Sequence, residues 1–412
     1  MIEHDPGHRT SRISRSHILA LPLVLVAWLV LADDALACEN EPVTHHCYSV
    51  VQWYMAASGE EVLGAKAELE TFYAEVPRWQ SGDFITNELW VVFPQWSDAW
   101  VEGGTITGAD RSESSPHYFE ARSYGPKELE VFINEGPGPA DGAVYGLYID
   151  EPYGRNGEWC ETWAWDKGPN LCFSGFPHSS TFLQTGMEYA TPTSSGATNF
   201  GTSIGWAYWT NDTWHEDWAG SGAHATGYTT SSCFGIDDPI PGYNWGSIEF
   251  WAPETGCGDA DVAGSASSPP VRPPSPGQAP EPEYTAPTGP LLSDGRIREI
   301  ADEFASQSGD SSPASIHAVN TSQRGAIEAN PNNQIRATDP ADVARYDGEV
   351  VLVTVEGSFT LAGAPVPPGA SAPTGKVLTL AINAHTGWID YYGISEAPAS
   401  GVSALGTSRS LG

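Results

Sequence analysis

An all-β fold is predicted for most of the chain: a two-sheet sandwich of jelly-roll or concanavalin-like type, with a small α+β C-terminal domain behind it. Three observations predict it. Alternating or β-rich runs recur at Ala65–Phe72, Phe84–Phe93, Ala99–Thr107, His117–Ser123, Glu128–Asn134, Ala143–Ile149, Phe182–Thr191 and Trp245–Trp251. Clusters of Gly, Pro, Asn and Asp separate them at strand-like spacing. Residues 38–262 also hold fourteen of the sixteen tryptophans and all six cysteines, which sets this stretch apart as one unit. Many short strands over such a length fit two stacked sheets.

In chain order, residues 1–37 read as a secretory signal. Arg9, Arg12 and Arg15 precede an apolar run from Ile18 to Leu31, and Ala35-Leu36-Ala37 is a small-x-small cleavage site. The run is short for a membrane span, and Asp33 and Asp34 follow it at once. Acylation of Cys38 would favour a large aliphatic where Ala35 stands, so simple secretion is the expectation. Only the segment near Thr44–Ala57 has a possible helical pattern within the first domain, 38–262. Residues 263–290 form a Pro-rich tether. In the domain at 291–412, Ile297, Ile300, Ala301 and Phe304 recur at helical spacing over Asp294 to Gln307, with Ser293 or Asp294 as cap. Strands are predicted there at Ser315–Val319, Glu349–Leu361, Lys376–Ala384 and Trp388–Ile394.

Composition bounds the partners. The formal charge is −34, and it stays near −33 once the four acids and three bases of residues 1–37 are set aside. Such a surface repels nucleic acid and anionic membrane and favours a soluble monomer outside the cell. The charge largely vanishes in acid, so self-repulsion falls there. An even set of cysteines in an exported chain reads as disulfides. The short loops pair Cys38 with Cys47, Cys160 with Cys172 and Cys233 with Cys257, out of fifteen connectivities. No spacing indicates a metal, and no phosphate loop, dinucleotide fingerprint or serine elbow is present, so no cofactor is expected.

Two glutamates carry the candidate chemistry. Glu102 in Trp100-Val101-Glu102-Gly103-Gly104 and Glu188 in Gly186-Met187-Glu188-Tyr189-Ala190 each stand alone in an apolar, glycine-flanked strand. Alternation places Trp100, Glu102 and Gly104 on one face, and Gln184, Gly186 and Glu188 on one face. A glycine two residues from the acid leaves space above the sheet for a substrate backbone. A buried carboxylate is costly unless paired or protonated. Two of them about 5 Å apart would repel by roughly 3 kcal/mol at an effective dielectric near 20, which separates an acid from a base. Such a pair serves peptide hydrolysis or glycoside hydrolysis. Tyr118, Glu120 and Arg122 share a face of a third strand, where Arg122 pairs with one of the two acids or with Glu120. Trp100, Tyr118, Arg122, Gln184 and Tyr189 are the candidate substrate contacts.

The segments Gly64-Ala65-Lys66-Ala67, Ser81-Gly82-Asp83-Phe84 and Glu88-Leu89-Trp90-Val91-Val92 resemble the opening of the neprosin domain. Glu102-Gly103-Gly104 and Met187-Glu188-Tyr189 are similar to its two glutamate motifs. The likeness covers roughly residues 60–210. Eqolisin glutamic peptidases are a more distant likeness. The resemblance implies a β-sandwich glutamic peptidase with Glu102 and Glu188 as its catalytic pair, acting on peptide without cofactor. It departs from the family where Tyr189-Ala190-Thr191 replaces tryptophan-glycine-glycine and where Thr105-Ile106-Thr107 follows Glu102.

Other features favour a second class. Trp96, Trp159, Trp163, Trp165, Trp206, Trp209, Trp214 and Trp218 exceed what a core needs, and about half are expected at the surface, where indoles stack on sugar rings or proline. A non-enzymatic carbohydrate- or cell-wall-binding sandwich is therefore the alternative, as is a glycosidase using the same two acids. His45-His46 is expected at the surface, and Trp214–Trp218 reads as a solvated loop. The C-terminal domain, through Val377–Ile382 and the His385-Thr386-Gly387 turn, loosely resembles PepSY-type modules, which implies an inhibitory or interaction role.

Overall fold

A computed structural model describes residues 46–54, 61–71, 84–97, 99–108, 116–134, 138–140, 142–152, 157–163, 171–190 and 285–412, the last apart from 337–342 and 345. Between these it describes the backbone of strands at 199–210, 213–215, 224–229, 235–237, 248–252 and 277–278. The expected signal segment, most of the tether, and Cys38, Cys233 and Cys257 lie outside the described residues.

The sandwich runs β1 (His46–Tyr54), β2 (Gly64–Thr71), β3 (Phe84–Val92), β4 (Ala99–Gly108), β5 (His117–Gly125), β6 (Glu128–Ile133), β7 (Ala143–Asp150) and β8 (Glu158–Trp163). It continues with β9 (Leu171–Ser174), β10 (Phe182–Ala190), β11 (Asn199–Thr210), β12 (Thr213–His215), β13 (His224–Thr229), β14 (Gly235–Asp237), β15 (Ile248–Ala252) and the short β16 (Gly277–Gln278). The C-terminal unit adds α1 (Asp294–Gln307), β17 (Ser315–Ser322), α2 (Gln323–Glu328), β18 (Asn333–Ile335), β19 (Glu349–Thr360), β20 (Thr374–Asn383), β21 (Ile389–Ser395) and β22 (Arg409–Ser410).

The strands form two sheets. The first has twelve strands in the order β13-β1-β10-β3-β4-β5-β6-β21-β20-β19-β17-β22, and the second has ten, with the path β14-β15-β11-β2-β7-β8-β9-β18. The C-terminal unit therefore joins both sheets. β21 pairs antiparallel with β6 through Tyr391↔Phe132 to Ile394↔Leu129, and β18 pairs with β9.

Alternation explains how the first sheet is built. In β3, Ile85, Leu89 and Val91 enter the core between the two sheets, while Phe84 and Trp90 point to the outer face. The outer face is not solvated. It packs under the C-terminal unit with Trp100, Ile106, Phe119, Leu361, Ala364 and Val366 in one apolar cluster. Strands buried on both faces read as nearly continuous apolar runs.

β1 corrects the helical expectation for Thr44–Ala57. Cys47, Val51 and Trp53 face the inter-sheet core and Tyr48 and Val50 face outward, a period of two. Both faces are buried, His46 and Gln52 included, so no solvent-facing side marks the alternation. The C-terminal helix is as predicted, with the Ser293 hydroxyl accepting the Arg296 N–H at 3.3 Å and Ile297, Ile300, Ala301 and Phe304 buried. Cys160 and Cys172 form a disulfide, and Cys47 is disulfide-bonded as well. Among the described residues, no helix is long and apolar enough to cross a membrane.

Candidate functional site

Glu102 and Glu188 lie on the same outer face, on β4 and β10, with β3 between them. Glu102 stands opposite Trp90, and Trp90 stands opposite Gln184 on β10 and so in line with Gln52 on β1. Glu188 lies four residues further along, where its backbone N–H donates to Thr86 Oγ1 at 3.0 Å. Two strand spacings and four residues of offset put the two glutamate backbones about 16 Å apart. They are therefore not the close cross-strand neighbours of the 5 Å expectation.

A third acid fills the interval. Glu88 on β3 is the register partner of Gly104 on one side and Gly186 on the other. It is thus a diagonal neighbour of both other glutamates, within reach of long side chains. The glycines do not leave an open floor, as expected from the sequence: Gly104 lets β4 close on Glu88, and Gly186 lets β10 close on β1. A Cβ on Gly104 would sit 2.7 Å from the Glu88 Cβ, and one on Gly186 would sit 2.2 Å from the Ser49 carbonyl oxygen.

The three carboxyls are fully buried but differently served. Glu188 is bonded to three groups: His46 Nδ1 at 2.5 Å, the Tyr48 hydroxyl at 3.0 Å and the Val366 backbone N–H at 3.0 and 3.2 Å from its two oxygens. Burial raises its pKa, and these contacts work against that rise. Glu102 has no hydrogen-bond partner on either oxygen. Burial, and then repulsion by Glu188, holds its pKa well above the usual carboxylate range, although the nearby indoles of Trp90 and Trp100 act the other way. Glu88 is likewise pushed well up by burial and then by Glu102 and Glu188, with the Thr86 hydroxyl bonded to it opposing. The environments grade the three: all are raised, but Glu188 less than Glu102 and Glu88, so Glu188 is the first of them to ionise.

Around Glu102 the buried polar groups are poorly served. The indole N–H groups of Trp90 and Trp100 approach Glu102 without closing a short hydrogen bond, and both amide atoms of Gln184 and one oxygen of Glu88 have no partner. Each such group costs about 1–3 kcal/mol. Together they form a strip of donors and acceptors suited to backbone amides.

Over this face lies the loop between β19 and β20. The Ala362 carbonyl accepts from His46 Nε2 at 2.5 Å, and the Val366 carbonyl accepts from the Tyr48 hydroxyl at 2.9 Å. Ala364 and Val366 are each 1% exposed.

The remaining candidates divide by face. Trp100 and Gln184 share the face of the glutamates. Tyr118 and Tyr189 pack with the inter-sheet core, the opposite side of their strands, so they do not line the carboxylate row. Arg122 is also remote from it: it pairs with neither Glu102 nor Glu188 nor Glu120, but with Glu130 at 2.6 Å and Glu128 at 3.2 Å. Glu120 instead accepts from the Trp163 indole N–H. Of the tryptophans expected at the surface, Trp96 is exposed, Trp159 and Trp163 are buried, and the side chains of the others lie outside the described residues.

Sequence reasoning missed Glu88, His46 and Tyr48. Glu88 carries the same signal as the two glutamates it joins, a single acid among apolar strand residues. His46, expected at the surface, is 1% exposed and bonded to Glu188. Its position follows from β1 being a strand, since His46, Tyr48 and Gln52 then share a face.

No family model matches the chain, and no curated protein matches it. The neprosin and PepSY resemblances therefore rest on their motifs alone. Among solved structures, the chain has a distant similarity to eqolisin-family glutamic peptidases over half its length. Scytalido-glutamic peptidase with a transition state analog inhibitor aligns at TM-score 0.35 and 10% identity, over 50% of this chain and 97% of that one. SCP-B, a member of the eqolisin family, in a complex with the tripeptide Ala-Ile-His aligns at 0.31 and 7%, over 50% and 96%.

Proposed function

We propose that this protein is a secreted acid hydrolase of peptide bonds, with Glu188 as general base and Glu102 as general acid. One observation carries the choice of peptide over sugar: the loop laid against the carboxylate row, turned at 361–364 and again at 367–370, makes its polar contacts with Glu188, His46 and Tyr48 through backbone N–H and carbonyl groups. In the reaction, Glu188 takes a proton from water as the water oxygen bonds to the carbonyl carbon. Glu102 gives its proton to the amide nitrogen by way of Glu88, which lies between the two glutamates, as the C–N bond breaks. The proton held by Glu188 then returns to Glu102 through Glu88, which restores both groups.

The test is cleavage of an unstructured polypeptide at pH 3–5 by the full chain and by Val366→Asp, read as new amino termini by mass spectrometry. Cleavage in at least one of them, lost in Glu102→Gln and Glu188→Gln, is the expected result. No cleavage by either protein overturns the reading.

A further inference from the structure

We infer that the loop at 361–373 is a built-in occupant of the groove, and that the C-terminal unit keeps the carboxylate row shut until this loop is displaced. The inference rests on reading the row as the reactive site, and adds how that site is controlled.

The loop lies where a substrate must lie. Val366 N–H occupies both oxygens of Glu188, and the carbonyls of Ala362 and Val366 occupy the donors of His46 and Tyr48. Leu361, Ala364 and Val366 are packed in the same apolar cluster as Phe84, Trp90 and Trp100. Turns at 361–364 and 367–370 flank Val366, and Pro365, Pro367 and Pro368 restrict the backbone between and within them, because each fixes its own φ. The segment enters from β19 and leaves into β20, two strands of the first sheet, so both of its ends are fixed.

The loop also blocks the chemistry that the row would perform on it. Glu188 is 0% exposed and packed against His46, Tyr48 and Val366, so it has no room for an attacking water. Glu102 and Glu88 are 0% exposed as well. A bound peptide that spends the base as a hydrogen-bond acceptor is an inhibitor in form. The unpaired strip around Glu102 and Gln184 is left for a substrate that the loop does not imitate.

The experiment compares the full-length chain with two full-length variants, Val366→Asp, which sets a carboxylate against Glu188, and one in which residues 362–368 are exchanged for glycine and serine. Cleavage of a quenched fluorescent peptide at pH 4 is measured alongside binding of a labelled synthetic peptide with the sequence of residues 361–368. If the loop fills the groove in nine molecules of ten or more, the variants bind the probe about tenfold tighter than the unaltered chain, or better. Cleavage rises by a similar factor. Tighter binding without cleavage in any protein keeps the occlusion and removes the hydrolytic reading. Equal cleavage and equal binding in all three overturn the occlusion and leave hydrolysis standing. Neither binding nor cleavage in any protein overturns both. Should the variants not fold, amide hydrogen exchange of Val366 in the unaltered chain decides: strong protection is expected, and exchange at the rate of an open loop overturns the inference.

Discussion

Glu88 stands directly opposite Gly186, with Gly104 completing the cradle from the other side. Neither glycine tolerates a side chain. A Cβ on Gly104 would lie 2.2 Å from the Asn87 carbonyl oxygen, a backbone atom that moves only with its strand. Gly104→Ala is expected to destabilise the fold by about 1–3 kcal/mol, in the range of overpacked cores. Urea unfolding measures this, and an unchanged midpoint would mean that β4 does not close on β3 as described.

The raised carboxyls give stability a pH dependence of definite sign. For Glu102 and Glu88, burial lifts the folded pKa above the ordinary 4.5. Above 4.5 the unfolded chain releases these protons while the folded chain keeps them, so stability falls as pH rises through that window. The contribution is complete below 4.5. Each group adds a slope of about 1.4 kcal/mol per pH unit within its window. Glu102→Gln should therefore unfold with a shallower loss of stability between pH 5 and 7 than the unaltered chain. Calorimetry across that range gives the two slopes, and equal slopes would mean that Glu102 is ionised in the fold.

Catalytic substitutions should separate along the same line. Glu188→Gln and Glu102→Gln each remove a proton-transfer group, and a loss of about 10²–10⁴ in kcat is expected from either. The second removes one acid while leaving Glu188 and Glu88, so its residual rate should depend on pH through those two groups alone. Single-turnover cleavage across pH 3–7 reads both effects. A Glu102→Gln variant with the unaltered profile would exclude that residue from the reaction.

Arg122 anchors the seam between sandwich and C-terminal unit. Its guanidinium meets Glu130, Glu128 and Asn333 Oδ1, while Glu130 accepts from Asn330, Asn333 and the Tyr391 hydroxyl. Arg122→Met leaves Glu130 buried without its cation and should cost about 3–5 kcal/mol. Pairing it with Glu130→Leu should recover much of that loss. Chemical denaturation of the single and double variants checks the pair, and a double variant no more stable than the single would assign the energy to packing.

The sandwich was legible because one-residue alternation survives even in buried strands such as Phe84 to Val92. The helix at Asp294–Gln307 was legible because Ile297, Ile300, Ala301 and Phe304 mark a single buried stripe. β1 was not, since Tyr48 and Val50 are as buried as Cys47 and Val51 and the pattern has no solvent-facing side. The site was legible in its outer acids and hidden in its centre: Glu88 shows its role only once the register sets Gly104 and Gly186 beside it. The faces of Tyr118, Arg122 and Tyr189 depend on what covers each side of the sheet. A sequence does not state that when residues more than 300 positions away supply the cover, as Ala362 and Val366 do for His46 and Tyr48.

The pairing of β6 with β21 has a consequence for solubility. Without β21, β6 would be a sheet margin of six residues, Glu128 to Ile133, presenting unmatched amide and carbonyl groups beside Leu129, Val131 and Ile133. Such a margin recruits any strand of matching length, a second copy of itself included. The C-terminal unit thus serves as a selvage for the sandwich. Proteolysis that stripped it away would expose the carboxylate row and, in the same event, leave a margin prone to self-association, tying the lifetime of the bared form to its concentration.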